Sequence, residues 1–458
     1  MEAKSLRMGT SPIGKLIITM SLPAIFSMLV QALYNVIDGI FISNVSEAAL
    51  TAVTLIFPIN MLIIAISVGT GIGVNSLIAR RLGQKLYEEA NNVASQSYRL
   101  VFISGGIFAF LGFFFSRNFA EMFTTNQYVI DNATIYCQIV TVFSIFIMMQ
   151  INNDRILQAQ GNMIVPMVTN LIGATTHIIL AYFLVFGHGI FPQLGVAGAA
   201  ISTVTGEGVG VALGTFYIFG REHLIKIKIR GFKIDFKIIK NIYSVGFPAI
   251  VMQSLASIML LALNGILIGY SDAAVAVLGV YFRTQAFIFM PVFGLTQGIM
   301  PIIGYNYGAK NKERLMRAYK ISLLMAISIM TFGILVFQLL PVKIFDLFSA
   351  TPEMYSIGVY AFRVISIGFI LAAYGIICSV FFQGMGHGMY SLLVSLARQL
   401  VGIIPLAFIF SSMFGLYGIW WAFPASELIG TIASSIVLYI IYVKEIKSLD
   451  EESIIIRS

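Results

Sequence analysis

Charged residues are scarce in this chain. Only 10% of its 458 residues are Asp, Glu, Lys or Arg, and 58% are apolar, whereas soluble domains usually carry about 25% charged residues. No soluble fold can hide this much apolar surface, which excludes a soluble enzyme. The 37 Phe, 21 Met and 20 Tyr residues drive burial, so a disordered chain is excluded as well.

Cysteine and histidine are also rare, and this limits the chemistry available. The two cysteines, Cys137 and Cys378, lie far apart within apolar segments, which gives neither a disulfide framework nor metal-ligand spacing. Four scattered histidines form no H-E-x-x-H motif or cluster of the kind that an intramembrane protease or acyltransferase needs. We therefore predict that the protein is not an enzyme and holds no metal.

A phosphate-binding loop is missing as well. Residues 9–15 read G-x-x-x-x-G-K, but Leu16 follows where a nucleotide-binding loop needs Ser or Thr for Mg²⁺, and no predicted strand precedes it. We expect no cofactor, and an ion gradient as the energy source.

Long apolar runs dominate what is present. A membrane-spanning helix needs about 20 apolar residues and a barrel strand only about 10, so runs of about 25 residues predict helices. The first run is too long, and begins too far into the chain, for a cleaved signal peptide, so we expect no removed leader. The predicted fold is an all-α polytopic membrane protein with twelve transmembrane helices. The twelve segments are 14–42, 50–77, 93–116, 130–152, 163–187, 193–219, 240–269, 275–303, 318–340, 356–380, 389–411 and 416–443.

Positive charge is distributed unevenly among the loops. Of the 28 Lys and Arg residues, 22 lie on the side of the two termini, whereas the opposite loops hold only Arg117 and Lys343. Because cytoplasmic loops of membrane proteins are enriched in Lys and Arg, this predicts that both termini are cytoplasmic. It also accounts for the net charge of +8 without a nucleic-acid partner.

The two halves of the chain resemble each other at an offset of about 225 residues. Pro23 matches Pro248 and Gly83 matches Gly308, and near the ends the offset falls to 220, where Glu207 matches Glu427. Six spans per half predict two parallel repeats, which can rock about a central site. This favours a transporter that works by alternating access over a channel.

The repeat defines the predicted domains. They are an N-terminal six-helix lobe over 1–219, a cytoplasmic linker over 220–239, and a C-terminal six-helix lobe with a short cytoplasmic tail over 240–458. The linker alternates charge with Ile, which is typical of an amphipathic surface helix or ribbon. A regulatory role for this linker is the alternative.

Ionisable side chains at membrane depth are costly and point to function. Asp38 shares one helix face with Gln31, Tyr34 and Asn35, and so polar a face must line a cavity or contact another helix. Desolvation favours the protonated form of a carboxylate. Asp38 is therefore a candidate for ion coupling or substrate contact, and a hydrogen-bonded structural role is the alternative.

Four other ionisable residues are candidates. Glu207 and Glu427 are the remaining acids that we place well inside predicted segments, at equivalent positions of the repeat, and Arg398 is the predicted partner of Glu427. His177 suits proton handling, and Arg283 could pair with an acid or line the cavity. For each of them structural pairing is the alternative to function.

Three stretches carry a resemblance to a known family. They are the Pro23…Gln31-x-x-Tyr34-x-x-x-Asp38 helix, the segment 158–162, and the stretch from Arg283-Thr-Gln285 to Gly308-Ala-x-Asn311. Together with the 6+6 repeat, they resemble the multidrug and toxic compound extrusion (MATE) family and its bacterial MepA-like group. The resemblance covers nearly the whole chain.

The resemblance implies a fold and a function. It implies a V-shaped pair of lobes around a central cavity, in a monomer located in the bacterial cytoplasmic (inner) membrane. It implies export of amphipathic, often cationic, drugs and dyes in exchange for H⁺ or Na⁺. Asp38 matches the cation-coupling position of relatives, and the cavity residues that match by position are Gln31, Tyr34, Asn35 and Tyr136.

The chain also departs from the family pattern. Many relatives carry Asn and Asp in segment five, where this chain has His177 and Ala181, so His177 is the candidate substitute. Acids found in segments seven and ten of another branch are missing here, which favours H⁺ coupling through Asp38 over Na⁺ coupling. A flippase for a lipid-linked precursor is a further alternative, for which Arg283 and Arg398 are the candidate phosphate contacts.

Overall fold

All regular structure in the described part of the chain is helical, as predicted. The computed structural model describes residues 7–220, 225–227 and 234–449, and for Asn35 the backbone alone. The α-helices are α1 (Ile13–Ser43), α2 (Glu47–Gly83), α3 (Tyr87–Glu121), α4 (Gln127–Val142), α5 (Ser144–Ala159), α6 (Ile164–Phe186), α7 (Gly195–Gly220), α8 (Phe236–Leu267), α9 (Asp272–Gly308), α10 (Lys312–Leu339), α11 (Pro341–Leu347), α12 (Pro352–Ser366), α13 (Phe369–Met385), α14 (Gly388–Leu396), α15 (Ile403–Phe414) and α16 (Leu416–Ile441). Two π-helical segments, Ala397–Gly402 and Tyr442–Ile446, follow α14 and α16.

The helices reproduce the predicted spans. Within the described residues, ten helical stretches are long and apolar enough to cross a membrane, and the bent pairs α4/α5 and α12/α13 bring the number to twelve if each pair is one span. The bends are 41° and 49°, and they lie at Phe143 and at Ile367–Gly368. These breaks occupy equivalent positions of the repeat. Apolar composition continues across both breaks, so the sequence predicts the span but not its bend.

Several helices run beyond the predicted segments on the side predicted to be cytoplasmic. Helices α2 and α9 end at Gly83 and Gly308, and each is followed by a lysine with positive φ, Lys85 at 60° and Lys310 at 53°. A hydropathy window stops at the first charges, whereas the backbone hydrogen bonds of a helix continue through polar residues. The matching turns show that the repeat extends to backbone conformation.

The two halves contact each other through a pair of repeat-related glycines. A Cβ added at Gly83 would lie 2.0 Å from the carbonyl oxygen of Tyr305, and one added at Gly308 would lie 2.1 Å from that of Arg80. Tyr305 stands 225 residues after Arg80, so the two contacts exchange under the repeat. Helix α2 also packs against α8, and α9 against α1. The halves are therefore closely packed at this end.

The segment before α1 crosses to the second half. Met8 is buried, and its carbonyl oxygen accepts hydrogen bonds from Asn306 Nδ2 at 3.1 Å and from Arg314 Nη2 at 3.0 Å. Arg314 Nη2 also donates to the carbonyl oxygen of Ser11 at 2.7 Å. These bonds fix the entry into α1 against α9 and α10.

The linker lies mostly outside the described residues. Of its described part, Ile225 is buried and the Lys226 backbone N–H donates to Asn91 Oδ1 at 2.8 Å. The predicted amphipathic element falls largely on 221–224 and 228–233, which the structure does not describe.

Candidate functional site

A cavity of about 380 Å³ opens among the helices of the N-terminal half. Helices α1, α2, α5, α6 and α7 form most of its wall, and α8 and α9 contribute one glutamine each, Gln253 and Gln297. Its volume falls within the range of about 300–1,000 Å³ typical of small-molecule sites. Polar residues of its lining include Gln31, Tyr34, Gln150, Asp154, His177 and Glu207.

Four of the predicted site residues line this cavity. Gln31 and Tyr34 reach it from α1, His177 from α6 and Glu207 from α7. They come from three separate helices, so the fold brings together residues that the sequence keeps far apart. The side chain of Asn35, on the same helix as Gln31, lies outside the described part of the structure.

Asp38 lies behind the cavity wall, in contact with His177. His177 Nε2 is 3.4 Å from Asp38 Oδ1, and the side chains are 4% and 19% exposed. In the described structure neither ring nitrogen of His177, nor Asp38 Oδ1, has a hydrogen-bond partner. Tyr34 packs edge-on against the imidazole, with ring centroids 5.0 Å apart. His177 thus lines the cavity and contacts the carboxylate behind it.

Two other predicted residues do not line the cavity. Tyr136 on α4 is buried beside Ala133 and Cys137, and its side chain interacts electrostatically with Asp38, Tyr34 and Glu207. Arg283 on α9 is exposed and does not line the cavity. Neither side chain is in the wall where the prediction expected it.

Sequence reasoning missed a third acid of the first half, Asp154. The predicted fourth segment ends at residue 152, but α5 continues to Ala159, and Asp154 and Arg155 both line the cavity. Asp154 was missed because apolar composition ends before the helix does. A detectable signal was the i, i+4 spacing of Gln150, Asp154 and Gln158, which places three polar residues on one helix face.

Amide side chains hold Asp154 in place. Asn170 Nδ2 donates to Asp154 Oδ2 at 2.9 Å, and Gln150 Nε2 donates to Asn170 Oδ1 at 2.5 Å. Arg155 is buried, and its Nη1 donates to Gln158 Oε1 at 3.1 Å. The α5 side of the cavity is therefore an ordered polar network.

Glu427 in the second half is paired, as predicted. Arg398 Nη1 lies 3.2 Å from both carboxylate oxygens of Glu427, and the side chains are 22% and 21% exposed. Arg398 belongs to the π-helical segment Ala397–Gly402. Such distortions of a helix are frequent at functional sites. Glu427 does not line the cavity of the first half.

Four polar residues of the first half have apolar or small counterparts in the second half. Leu263, the counterpart of Asp38, is fully buried in the apolar core. At these positions the side-chain chemistry differs between the halves, although the backbone repeats. At the offset of 225, the counterparts of Tyr34, Asp38, Gln150 and Asp154 are Met259, Leu263, Gly375 and Ser379.

Comparisons with known proteins agree with this architecture. The MatE family model matches two stretches, 23–183 and 248–409, which together cover more than half of the chain. The chain is 25% identical over 433 residues to the multidrug export protein MepA of Staphylococcus haemolyticus, and 24% identical over 439 residues to MepA of Staphylococcus aureus, with 94% of each chain covered in both cases.

Solved structures match over almost the whole chain. A MATE crystal structure described as being in the bent conformation matches with a TM-score of 0.90 at 27% identity, covering 98% of this chain and 99% of that one. A transporter of the MOP superfamily from Pyrococcus furiosus, described as having a binding pocket of reverse polarity, matches with a TM-score of 0.89 at 26% identity, covering 97% of this chain and 98% of that one. The multi-pass, two-lobed architecture is therefore that of a known class of transporters, and the chain belongs to the MATE family.

Proposed function

We propose that the protein is a secondary active multidrug exporter that exchanges amphipathic organic cations for H⁺. The observation that carries this proposal is the contact at 3.4 Å between Asp38, which is partly buried, and His177, which lines the cavity. The relatives named as multidrug export proteins support the class of activity.

The cavity lining supports cationic, partly apolar substrates. Its wall combines Met28, Ile147 and Ile151 with the carboxylates of Asp154 and Glu207. Apolar surface with a few polar groups is the usual composition of a small-molecule site, and carboxylates favour a positively charged ligand. A lipid-linked phosphate would face the same two acids against a single arginine, Arg155, which directly follows Asp154, so a flippase fits this lining less well.

The Asp38–His177 pair offers a place for the transported proton. An imidazole can take up and release a proton. When the imidazole is protonated, a carboxylate next to it gains a cationic partner. Because His177 lines the cavity and touches Asp38, a proton can pass from the cavity to the carboxylate through the imidazole. Proton binding neutralises the net charge of the pair, and this couples it to a cationic substrate nearby.

Alternating access would require the two lobes to separate where they now meet. Gly83 packs on Tyr305 and Gly308 on Arg80, and Gln158 Nε2 donates to Gln297 Oε1 at 3.4 Å across the lobes. With both termini in the cytoplasm, as the charge distribution predicts, these contacts would close the cytoplasmic side. Binding of a proton or a substrate shifts the equilibrium between the joined and the separated lobes only if the two states differ in their affinity for it.

The test is efflux of ethidium from proteoliposomes that contain the purified protein. Wild type and Asp38→Asn are compared under a pH gradient and then under a Na⁺ gradient. We expect efflux that follows the pH gradient and is lost in Asp38→Asn at equal incorporation. Efflux driven by Na⁺, or unchanged in the variant, would contradict the proposal.

A further inference from the structure

We propose that Glu207 is the side chain that binds the positive charge of the substrate, leaving the Asp38–His177 pair to the proton. This inference rests on the proposed function and deepens it. It assigns the two ligands of an antiporter to two different carboxylates of one lobe.

Glu207 is accessible to a molecule in the cavity. It lines the wall from α7 and is half-buried, whereas Asp38 does not line the cavity and its Oδ1 is fully buried. Throughout the described residues, no lysine, arginine or histidine lies at ion-pair distance from Glu207. A cation in the cavity therefore meets the unpaired charge of Glu207 without displacing a proton held by Asp38.

The other cavity acid is already engaged. Asp154 accepts a hydrogen bond from Asn170 at 2.9 Å and neighbours Arg155 along the chain. Its charge is partly compensated within the protein. Glu207 is the cavity carboxylate with the least compensation, and once it is deprotonated, its unpaired charge in a low-dielectric wall attracts a cation strongly.

The repeat shows what a structural glutamate at this position looks like. In the second lobe, Glu427 is neutralised by Arg398 at 3.2 Å. That arginine lies against Gly430, where an added Cβ would be 3.1 Å from Arg398 Cδ. Gly430 is the counterpart of Gly210, which lies instead against the uncharged side chain of Gln150, 2.9 Å from an added Cβ. The same scaffold thus carries a paired glutamate in one lobe and an unpaired one in the other.

Close helix packing keeps an arginine out of the first lobe. The counterpart of Arg398 at the offset of 225 is Gly173. A Cβ at Gly173 would lie 2.9 Å from the carbonyl oxygen of Gly206, and one at Gly206 would lie 2.6 Å from that of Gly173. Helices α6 and α7 are therefore too close for any side chain at 173. In the second lobe, Arg398 reaches Glu427 from the equivalent position. In the first lobe, the close contact at Gly173 therefore excludes an arginine that could reach Glu207 in the same way.

Equilibrium binding of a matched pair of probes tests the inference without requiring transport. The probes are ethidium and its uncharged parent 3,8-diamino-6-phenylphenanthridine, which differs only in lacking the N-ethyl group, each titrated by fluorescence into purified protein at mildly alkaline pH. We expect Glu207→Gln to weaken ethidium binding by about ten-fold or more, and binding of the uncharged parent by less than about two-fold.

Two further variants are matched to this one. Glu427→Gln removes the repeat-related carboxylate, and we expect it to leave the preference for ethidium over the parent unchanged. Glu207→Asp keeps the charge, and we expect it to keep the preference as well. If Glu207→Gln does not fold, Glu207→Met provides the test, because it removes the charge and keeps a side chain of similar length, and we expect the same loss of preference.

Several results would overturn the inference. They are wild-type binding of ethidium no tighter than of its parent, an unchanged preference in Glu207→Gln, and a lost preference in Glu207→Asp. The transport assay tests the proposed function separately from these binding measurements. If Asp38→Asn transports normally under a pH gradient, H⁺ coupling through Asp38 fails while the binding measurements on Glu207 still decide the substrate contact.

Discussion

His177 lines the substrate-sized cavity and also contacts Asp38, with Nε2 3.4 Å from Oδ1. Tyr34 holds the imidazole from the side, with ring centroids 5.0 Å apart. A titratable ring therefore stands between the cavity and the carboxylate behind it. The position of His177 makes it the natural relay between the cavity and Asp38.

Replacing His177 by Gln is expected to uncouple transport from the pH gradient. Glutamine keeps polar atoms near Asp38 but, unlike an imidazole, cannot take up and release a proton. We expect ΔpH-driven ethidium efflux to fall by about ten-fold or more, within the usual range of coupling free energies, while equilibrium binding of ethidium changes little. A His177→Gln variant with wild-type efflux across this pH range would rule out the relay.

The sequence predicted the spans well because long apolar runs report directly on the bilayer. It predicted the repeat because Pro23 and Gly83 recur as Pro248 and Gly308. It also predicted the pairing of Glu427 with Arg398, which the structure confirms at 3.2 Å. These features depend on local composition or on internal duplication.

Other features depend on how distant helices meet, and the sequence did not predict them. Asp154 was missed because apolar composition ends before α5 does. Tyr136 and Arg283 were expected at the cavity on the resemblance or on their charge, but neither lines it: Tyr136 is buried near Asp38 and Tyr34, and Arg283 is exposed. The contact between His177 and Asp38 joins α6 to α1, and no periodicity in either helix predicts it.

Breaking the ion pair of the second lobe is expected to cost stability rather than selectivity. Glu427→Gln leaves Arg398 without its carboxylate, and removing one partner of a buried pair costs about 3–5 kcal/mol. Because both side chains are about one-fifth exposed, we expect a smaller loss, about 1–3 kcal/mol, visible as a lower melting temperature in detergent.

The double variant Glu427→Gln with Arg398→Met is the control for this pair. It removes both charges, so we expect it to recover part of the lost stability. If the double variant melts below Glu427→Gln, or if Glu427→Gln melts at the wild-type temperature, the pair does not stabilise the fold in this way.

Loss of Arg314 is expected to release the segment before α1. Arg314 Nη2 donates to the carbonyl oxygens of Met8 and Ser11, at 3.0 and 2.7 Å. In Arg314→Ala, we expect faster hydrogen exchange over residues 7–12 and an unchanged rate in α4. Arg117→Ala is the control, because Arg117 forms exposed ion pairs with Glu121 and Asp131, which usually contribute little. Equal exchange in Arg314→Ala and wild type would show that this segment is held by other contacts.

Substituting Ala for Gly83 is expected to weaken the contact between the lobes, although Ala normally stabilises a helix by about 0.5–1 kcal/mol relative to Gly. The added Cβ would lie 2.0 Å from the backbone oxygen of Tyr305, and this atom cannot move without shifting α9. Gly279→Ala is the matched control, because nothing lies within 4 Å of a Cβ at that helical position. Spin labels on the ends of α2 and α9 would report the separation of the lobes. We expect longer distances in Gly83→Ala and wild-type distances in Gly279→Ala. If the two variants give the same distances, the close approach of Gly83 to Tyr305 does not hold the lobes together.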